Sequence, residues 1–327
     1  MKYKVNIQTV YEVGRRTDKN GRPHQEDYII PLHGQASGDE RLFILCDGMG
    51  GHEAGEVASQ TVCEAISHTI LTSQEPFSDH LLQRAIEHAY DRLDECEYSA
   101  DASRKMGTTL TLLALHENGA TIAHIGDSRV YHIRTNAERR DEVLFQTYDH
   151  SLVNDLIKIG SITPEQAKHH PQRNIITRAM QPGQEERCCA DIYHTKDIRK
   201  GDYFFLCSDG MLEEMENENL CNILSGEATD AEKAETLRQV TANNKDNHSA
   251  ILVHIIDVDD AEQTVGAAAY EEVAPAERQD ENHDEGRPMV ETESPMPTDE
   301  EEKRNYPWVT IILVVALVAL AMIFLWK

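Results

Sequence analysis

The chain has 327 residues, 40% hydrophobic and 27% charged, enough for one sizeable domain and too apolar for a wholly disordered chain. Its formal charge of −27 argues against nucleic-acid partners, because phosphates repel so acidic a surface. Seven scattered cysteines, with no C-x-x-C pair, argue against a disulfide framework and fit a reducing compartment.

Residues 1–257 hold the strand and helix patterns. Apolar runs ending in Gly, Asp or Asn read as strands at Leu42–Cys46, Thr109–Leu115, Thr121–Ile125, Val130–Ile133, Tyr203–Cys207 and Ile251–Ile256. Thr121–Ile125 and Val130–Ile133 flank Gly-Asp-Ser-Arg at hairpin spacing. Apolar residues at 3/4 spacing predict one helix from Ala54 to Ile70 and another from Leu81 to Leu93. Two long helices after one strand, then a run of strands, indicate an α+β class rather than alternating βαβ units. No phosphate-binding glycine loop of either common type is present.

Residues 258–305 carry 16 acidic and 4 basic side chains and four prolines, without sustained apolar periodicity. This composition predicts a self-repelling, disordered linker. Val309–Trp326 is a run of 18 residues without a charge, about 27 Å as a helix. With Tyr306, Trp308 and Trp326 at its ends, the 306–327 segment reads as a transmembrane anchor. The N-terminus lacks the apolar core of a signal peptide, and Lys303 and Arg304 precede the span. The expectation is a single-pass protein of the cytoplasmic membrane, with residues 1–305 facing the cytoplasm.

The chemistry is carried by acidic residues at strand ends. LFILCDGMGG (42–51) and YFFLCSDGML (203–212) are each a buried strand running into Asp-Gly. Asp-Gly alone is a common turn pair, but two cases after near-identical apolar strands are harder to dismiss. Glu26-Asp27, Asp127 and Asp246-Asn247 supply further acids beside predicted strands. Carboxylates brought together repel unless cations hold them, and all-oxygen ligands select Mg²⁺ or Mn²⁺ over zinc. Such a cluster suits two-metal hydrolysis of a phosphate ester. Gly48 lets a backbone carbonyl approach the same ion, and Arg22 offers a planar fork for phosphate, although alone it reads as a surface ion pair.

RPHQED (22–27), DGMGGHEAGEVAS (47–59), MGTTL (106–110), IGDSRVY (125–131), YDHSLV (148–153), NIITRAM (174–180), CSDGML (207–212) and KDNHSAI (245–251) occur in this order. Together they resemble the bacterial type-2C (PPM) metal-dependent Ser/Thr protein phosphatases, over essentially all of residues 5–257. The resemblance implies a four-layer α-β-β-α sandwich of two antiparallel sheets flanked by helix pairs. It implies that Asp47 bridges two metals, with the Gly48 carbonyl on one, and that Asp209 and Asp246 bind the other. It makes Glu26 and Asp27 partners of metal-bound waters, Asp127 with Asp209 a third-metal site, and Arg22 the phosphate-binding residue. Gly107, Thr108, Thr109, Ser128, Ser208 and Asn247 take supporting positions. The implied reaction is hydrolysis of phosphoserine and phosphothreonine in proteins by a metal-bridging hydroxide, with no phosphoenzyme. His52 is a candidate acid for the leaving alkoxide, with a metal-bound water as its competitor. Residues 152–182 correspond to the family's flap over the site. The chain departs from the family at Gln25, usually Asn, and at His248-Ser249, usually a hydrophobic residue and Thr. The implied partners are phosphorylated proteins and a membrane-bound Ser/Thr kinase whose action the enzyme opposes. The alternatives are a catalytically weak phosphoprotein-binding module and a phosphatase dedicated to one regulator protein.

Overall fold

The computed structural model describes residues 2–15, 24–50, 54–96, 106–135, 142–213, 215–259 and 271–273, the last by backbone alone. The first sheet contains β1 (Lys2–Glu12), β7 (Arg129–Arg134), β8 (Glu142–Gln146), β10 (Asp202–Cys207) and β11 (His248–Asp259), in the order β1-β11-β10-β7-β8. The second contains β2 (Asp27–Ile30), β3 (Leu42–Met49), β5 (Leu110–His116), β6 (Gly119–Ile125), β9 (Asp191–Thr195) and β12 (Glu271–Val273), in the order β12-β9-β6-β5-β3-β2. The two-residue β4 (Gly107–Thr108) pairs with the end of β3. All these pairings are antiparallel.

Alternation along the strands divides the core into layers. Phe43 and Leu45 of β3 face the other sheet, where Tyr3, Val5, Ile7, Phe204, Leu206, Ile251 and Val253 meet them. Leu42, Ile44 and Cys46 face the opposite way, onto helices α1 (Ala54–Thr72) and α2 (Asp79–Asp94). On the outer side of the first sheet, Tyr203, Phe205 and Leu252 pack against Leu220 and Leu224 of α5 (Asn217–Ser225) and Leu237 of α6 (Asp230–Val240). This is the α-β-β-α sandwich the resemblance implies. Two short helices, α3 (Leu152–Lys158) and α4 (Pro164–Lys168), lie in the 152–182 segment.

One expectation is corrected. β6 and β7 form no hairpin, because both edges of β6 are taken by β5 and β9. The chain instead leaves one sheet at Gly126, whose φ is +108°, and enters the other as β7. Asp127 therefore stands at the crossing between sheets rather than at a hairpin tip. The two look-alike Asp-Gly segments also differ. Asp47 and Gly48 lie inside β3, whereas Asp209 opens a one-turn 3-10 helix, Asp209–Leu212, after β10.

Within the stretch expected to be linker, β11 runs on to Asp259, and Glu271–Val273 pairs with the edge of β9. Among the described residues no helix is long and apolar enough to cross a membrane. The 306–327 segment read as an anchor lies outside the described residues, as does most of 258–305.

Candidate metal centre

Five separate segments bring the predicted acids to one end of the sandwich. Asp27 opens β2 directly opposite Asp47 of β3. Asp127 comes from the sheet crossing, Asp209 from the 3-10 turn, and Asp246 from the loop between α6 and β11.

The backbone around Asp47 is pinned from several sides. Its N–H donates to Thr109 Oγ1 (2.9 Å), and its carbonyl accepts from the Thr109 N–H (2.9 Å) and from Thr108 Oγ1 (2.9 Å). Ser128 Oγ lies 2.8 Å from Thr109 Oγ1, so the Asp127 turn is tied to the same knot. Ser208 Oγ donates to Asp27 Oδ2 (2.9 Å) and accepts the Ser249 N–H (3.0 Å). Asn247 Oδ1 accepts the Glu26 N–H (2.9 Å). The small polar residues assigned supporting positions thus hold the loops that carry the acids. Gln25 ties into the same network: Nε2 donates to the Glu12 carbonyl (3.0 Å) and Ser249 Oγ (3.3 Å), and Oε1 accepts from the Asp27 N–H (3.3 Å).

The electrostatics are those of anions forced together. Burial, then the charges of Asp209 and Asp246, push Asp27 up to about 7 against the opposing hydrogen bonds of Ser208 and Ser249. Burial and four neighbouring aspartates, Asp27, Asp209, Asp127 and Asp246, raise Asp47 well above the carboxylate range. Asp127 is pushed up to about 8 by burial and then by Asp209 and Asp149. Asp209 has an edge open to solvent, yet its packed surroundings and the Asp246 charge take it to about 6. Asp27 Oδ1 and Asp127 Oδ1 are buried with no hydrogen-bond partner among the described residues. Orphaned carboxylate oxygens within a cluster of raised acids fit divalent cations with hard oxygen ligands. Glu26 is buried too, its carboxyl carbon close to Gly55. Arg22 and His52, assigned to phosphate binding and proton donation, lie outside the described residues.

A second group with ligand-like spacing is His124, His150 and Asp191. Its hydrogen bonds oppose a metal there. His150 Nδ1 accepts the Gly126 N–H (3.0 Å), so Nε2 carries the proton and donates to Asp191 Oδ2 (3.1 Å). Arg178 donates to Asp191 Oδ1 (2.8 Å), adding a positive charge. His124 Nε2 donates to the Tyr148 carbonyl (3.0 Å), and burial, with His150 beside it, lowers its pKa to about 4. The set instead bolts the Gly126-Asp127 turn to the 152–182 segment, since the His150 carbonyl also accepts the Thr177 N–H (2.8 Å).

Sequence reasoning assigned no role to His150, Asp149 or Asp191. His150 and Asp149 do stand inside the quoted YDHSLV motif, and Asp149 accepts a two-pronged bond from Arg129 of GDSR (2.7 and 2.6 Å). Asp191 carries no local signal.

The model of the family described as "Protein phosphatase 2C" matches residues 13–254. The chain belongs to the protein phosphatase 2C family. Protein phosphatase PhpP of Streptococcus pneumoniae is 33% identical over 264 residues, which cover 78% of this chain and 98% of that protein. Serine/threonine protein phosphatase PstP of Mycobacterium tuberculosis is 36% identical over 226 residues, covering 67% of this phosphatase and 41% of the relative. Among solved structures, the S. agalactiae serine/threonine phosphatase superposes with a TM-score of 0.65 at 30% identity, covering 77% of this chain and 99% of that one. The catalytic domain of PstP in complex with two manganese ions superposes with a TM-score of 0.61 at 28% identity, covering 77% and 99% respectively.

Proposed function

We propose that this phosphatase hydrolyses phosphoserine and phosphothreonine in proteins, using Mn²⁺ or Mg²⁺. The observation that carries the reading is the meeting of five aspartates, in which Asp27, Asp47, Asp127 and Asp209 are pushed up by burial and by neighbouring charges that include Asp246. The manganese-bound relative and the shared family support the choice of ion. When bound, two divalent ions supply an activated water and neutralise phosphoryl charge, in a reaction whose enzymatic acceleration reaches up to about 10²¹-fold.

The chain's own residues do the rest. Asp47 would offer its carboxylate to both ions, and the bonds from Thr108 and Thr109 hold the backbone that carries it. Asp209 and Asp246 would hold one ion, and the Gly48 carbonyl would serve the other. Glu26 and Asp27 would accept from water around the ions, and Asp127 with Asp209 would hold a third. Arg22 orients the phosphate, and His52 is this chain's candidate for protonating the leaving alkoxide.

We also assign the enzyme to the cytoplasmic membrane through residues 306–327, opposite a Ser/Thr kinase. That rests on the uncharged run Val309–Trp326 and the acidic spacer before it.

The full chain, in detergent, is assayed for phosphate release from a phosphothreonine peptide with Mn²⁺, with Mg²⁺ and with chelator. Release should require metal, and Asp209→Ala should lower it by about 100-fold or more. A folded protein that releases nothing with either metal overturns the enzyme reading and favours a phosphoprotein-binding module. Removal of residues 306–327 should free the protein from sedimenting membranes; retention on them would refute the anchor.

A further inference from the structure

Asp246 differs from the other acids in how its backbone is supported. Asp47 lies in a strand and Asp209 opens a 3-10 turn, but Asp246 sits in the loop ahead of β11, outside any ladder. Its backbone is nevertheless held from both sides by side chains. Glu213 Oε1 accepts the Asp246 N–H (3.0 Å), and Glu213 Oε2 accepts the Lys245 N–H (3.0 Å). His248 Nδ1 lies 3.0 Å from the Asp246 carbonyl oxygen.

A carbonyl can only accept, so Nδ1 carries a proton. Nε2 is buried and without a partner among the described residues. A buried polar atom left unpaired is a cost that an apolar side chain would avoid. The histidine repays it only through the bond from Nδ1. Behind the same carbonyl, Gly14 packs so closely that a Cβ there would lie 2.0 Å from Asp246 O.

We propose that Glu213 and His248 are positioning residues that clamp the backbone of Asp246 and so set the chain's affinity for its divalent ion. The inference rests on the reading of Asp246 as a metal ligand. Both Glu213 oxygens accept backbone N–H groups of the loop that carries Asp246, which is the contact the clamp uses. Glu213 is exposed, so its removal leaves the core intact.

The test is calorimetric titration of Mn²⁺ into the full chain, beside the melting temperature of the metal-free protein and separate measurement of kcat and KM. Glu213→Ala should raise the apparent Kd for Mn²⁺ about 10- to 100-fold. Its metal-free melting temperature and its KM for phosphopeptide should stay near those of the parent, and saturating Mn²⁺ should restore kcat. Glu213→Gln, which keeps one acceptor, should fall between. His248→Ala should weaken Mn²⁺ binding, and His248→Asn, whose amide N–H takes the place of Nδ1–H, should recover it. Unchanged Mn²⁺ affinity in Glu213→Ala overturns the proposal. So does a loss of affinity in Glu213→Ala matched by an equal loss of metal-free stability. If His248→Ala does not fold, the Glu213 pair decides. A parent protein that binds no Mn²⁺ sinks the metal reading itself; Mn²⁺ binding abolished by Asp209→Ala but untouched by Glu213→Ala sinks the clamp alone.

Discussion

Gly48 has no room for a side chain. A Cβ there would lie 2.2 Å from the Gly55 carbonyl oxygen and 2.4 Å from that of Glu26. At Gly210, next to Asp209, it would lie 2.0 Å from the Asn247 carbonyl oxygen. Backbones cross at contact distance beside these acids, so the glycines are demanded by space as well as by turn chemistry. Gly48→Ala and Gly210→Ala should each cost about 3 kcal/mol or more in urea unfolding and lose most activity. Gly226→Ala is the control, with a φ of −59° and its nearest contact at 3.4 Å, and should behave like the parent. Equal behaviour of all three would refute the steric argument. Asp191 gives a pH signature. Burial works against its ionisation, but the hydrogen bond from His150 and the Arg178 charge prevail and bring it to about 2, from 3.8. Between those values the unfolded chain holds a proton the folded chain has released, so stability rises with pH. The gain, on the order of 2 kcal/mol, is complete above about pH 4 and is lost as pH falls towards 2. Asp191→Asn should remove that acid slope in metal-free unfolding at pH 2.5, 4 and 7; an unchanged slope would reject the assignment.

Identical caps do different work on different elements. Thr229 and Thr163 each form a capping box, with Glu232 on α6 and Gln166 on α4. α6 is 11 residues long, buries Ala234 and packs Leu237 against the first sheet. α4 is 5 residues long and buries only Ala167. Thr229→Ala should therefore lower global stability by about 1 kcal/mol. Thr163→Ala should leave global unfolding nearly unchanged while speeding hydrogen exchange locally, around residues 163–168. Global loss from Thr163→Ala would mean the 152–182 segment unfolds with the core. The same contrast between local signal and setting explains the failed hairpin. Four residues between two apolar runs fit a hairpin, but the edges available for pairing belong to the sheets and are invisible in the run itself. β1 is the opposite case: Tyr3, Val5 and Ile7 alternate with polar residues, a local strand signal the sequence does carry although the strand reading omits it.

At the scale of the molecule, a chain of net charge −27 gathers further anions at one end of its sandwich. That arrangement is stabilised by whatever cation binds it, because the unfolded chain scatters the ligands. Saturating Mn²⁺ at 100 times its Kd should add about 2.7 kcal/mol to unfolding free energy, read as a saturable rise in melting temperature. Asp209→Ala should flatten that rise, and an equal rise in parent and variant would place the ion elsewhere. Calcium at equal ionic strength separates a site effect from general screening of the acidic surface.

The sequence by itself determined the class, the central strands, helices α1 and α2, and the acids. Asp47 and Asp209 were legible because each ends an unbroken apolar run with Asp-Gly, a signal carried by neighbouring residues. Glu26-Asp27, Asp127 and Asp246 were legible as acids beside predicted strands, and the family motifs gave them their roles. Tertiary structure alone decided what holds those acids. Glu213 reaches loop residues more than 30 positions away, and Asp191 meets His150 across 41. Such partners leave no periodicity, because a hydrogen bond between loops depends on where two sheets place their ends. The same cause sent β6 and β7 into different sheets. Local spacing sets what a segment prefers, and the free edges and close crossings of the folded sandwich set what it joins.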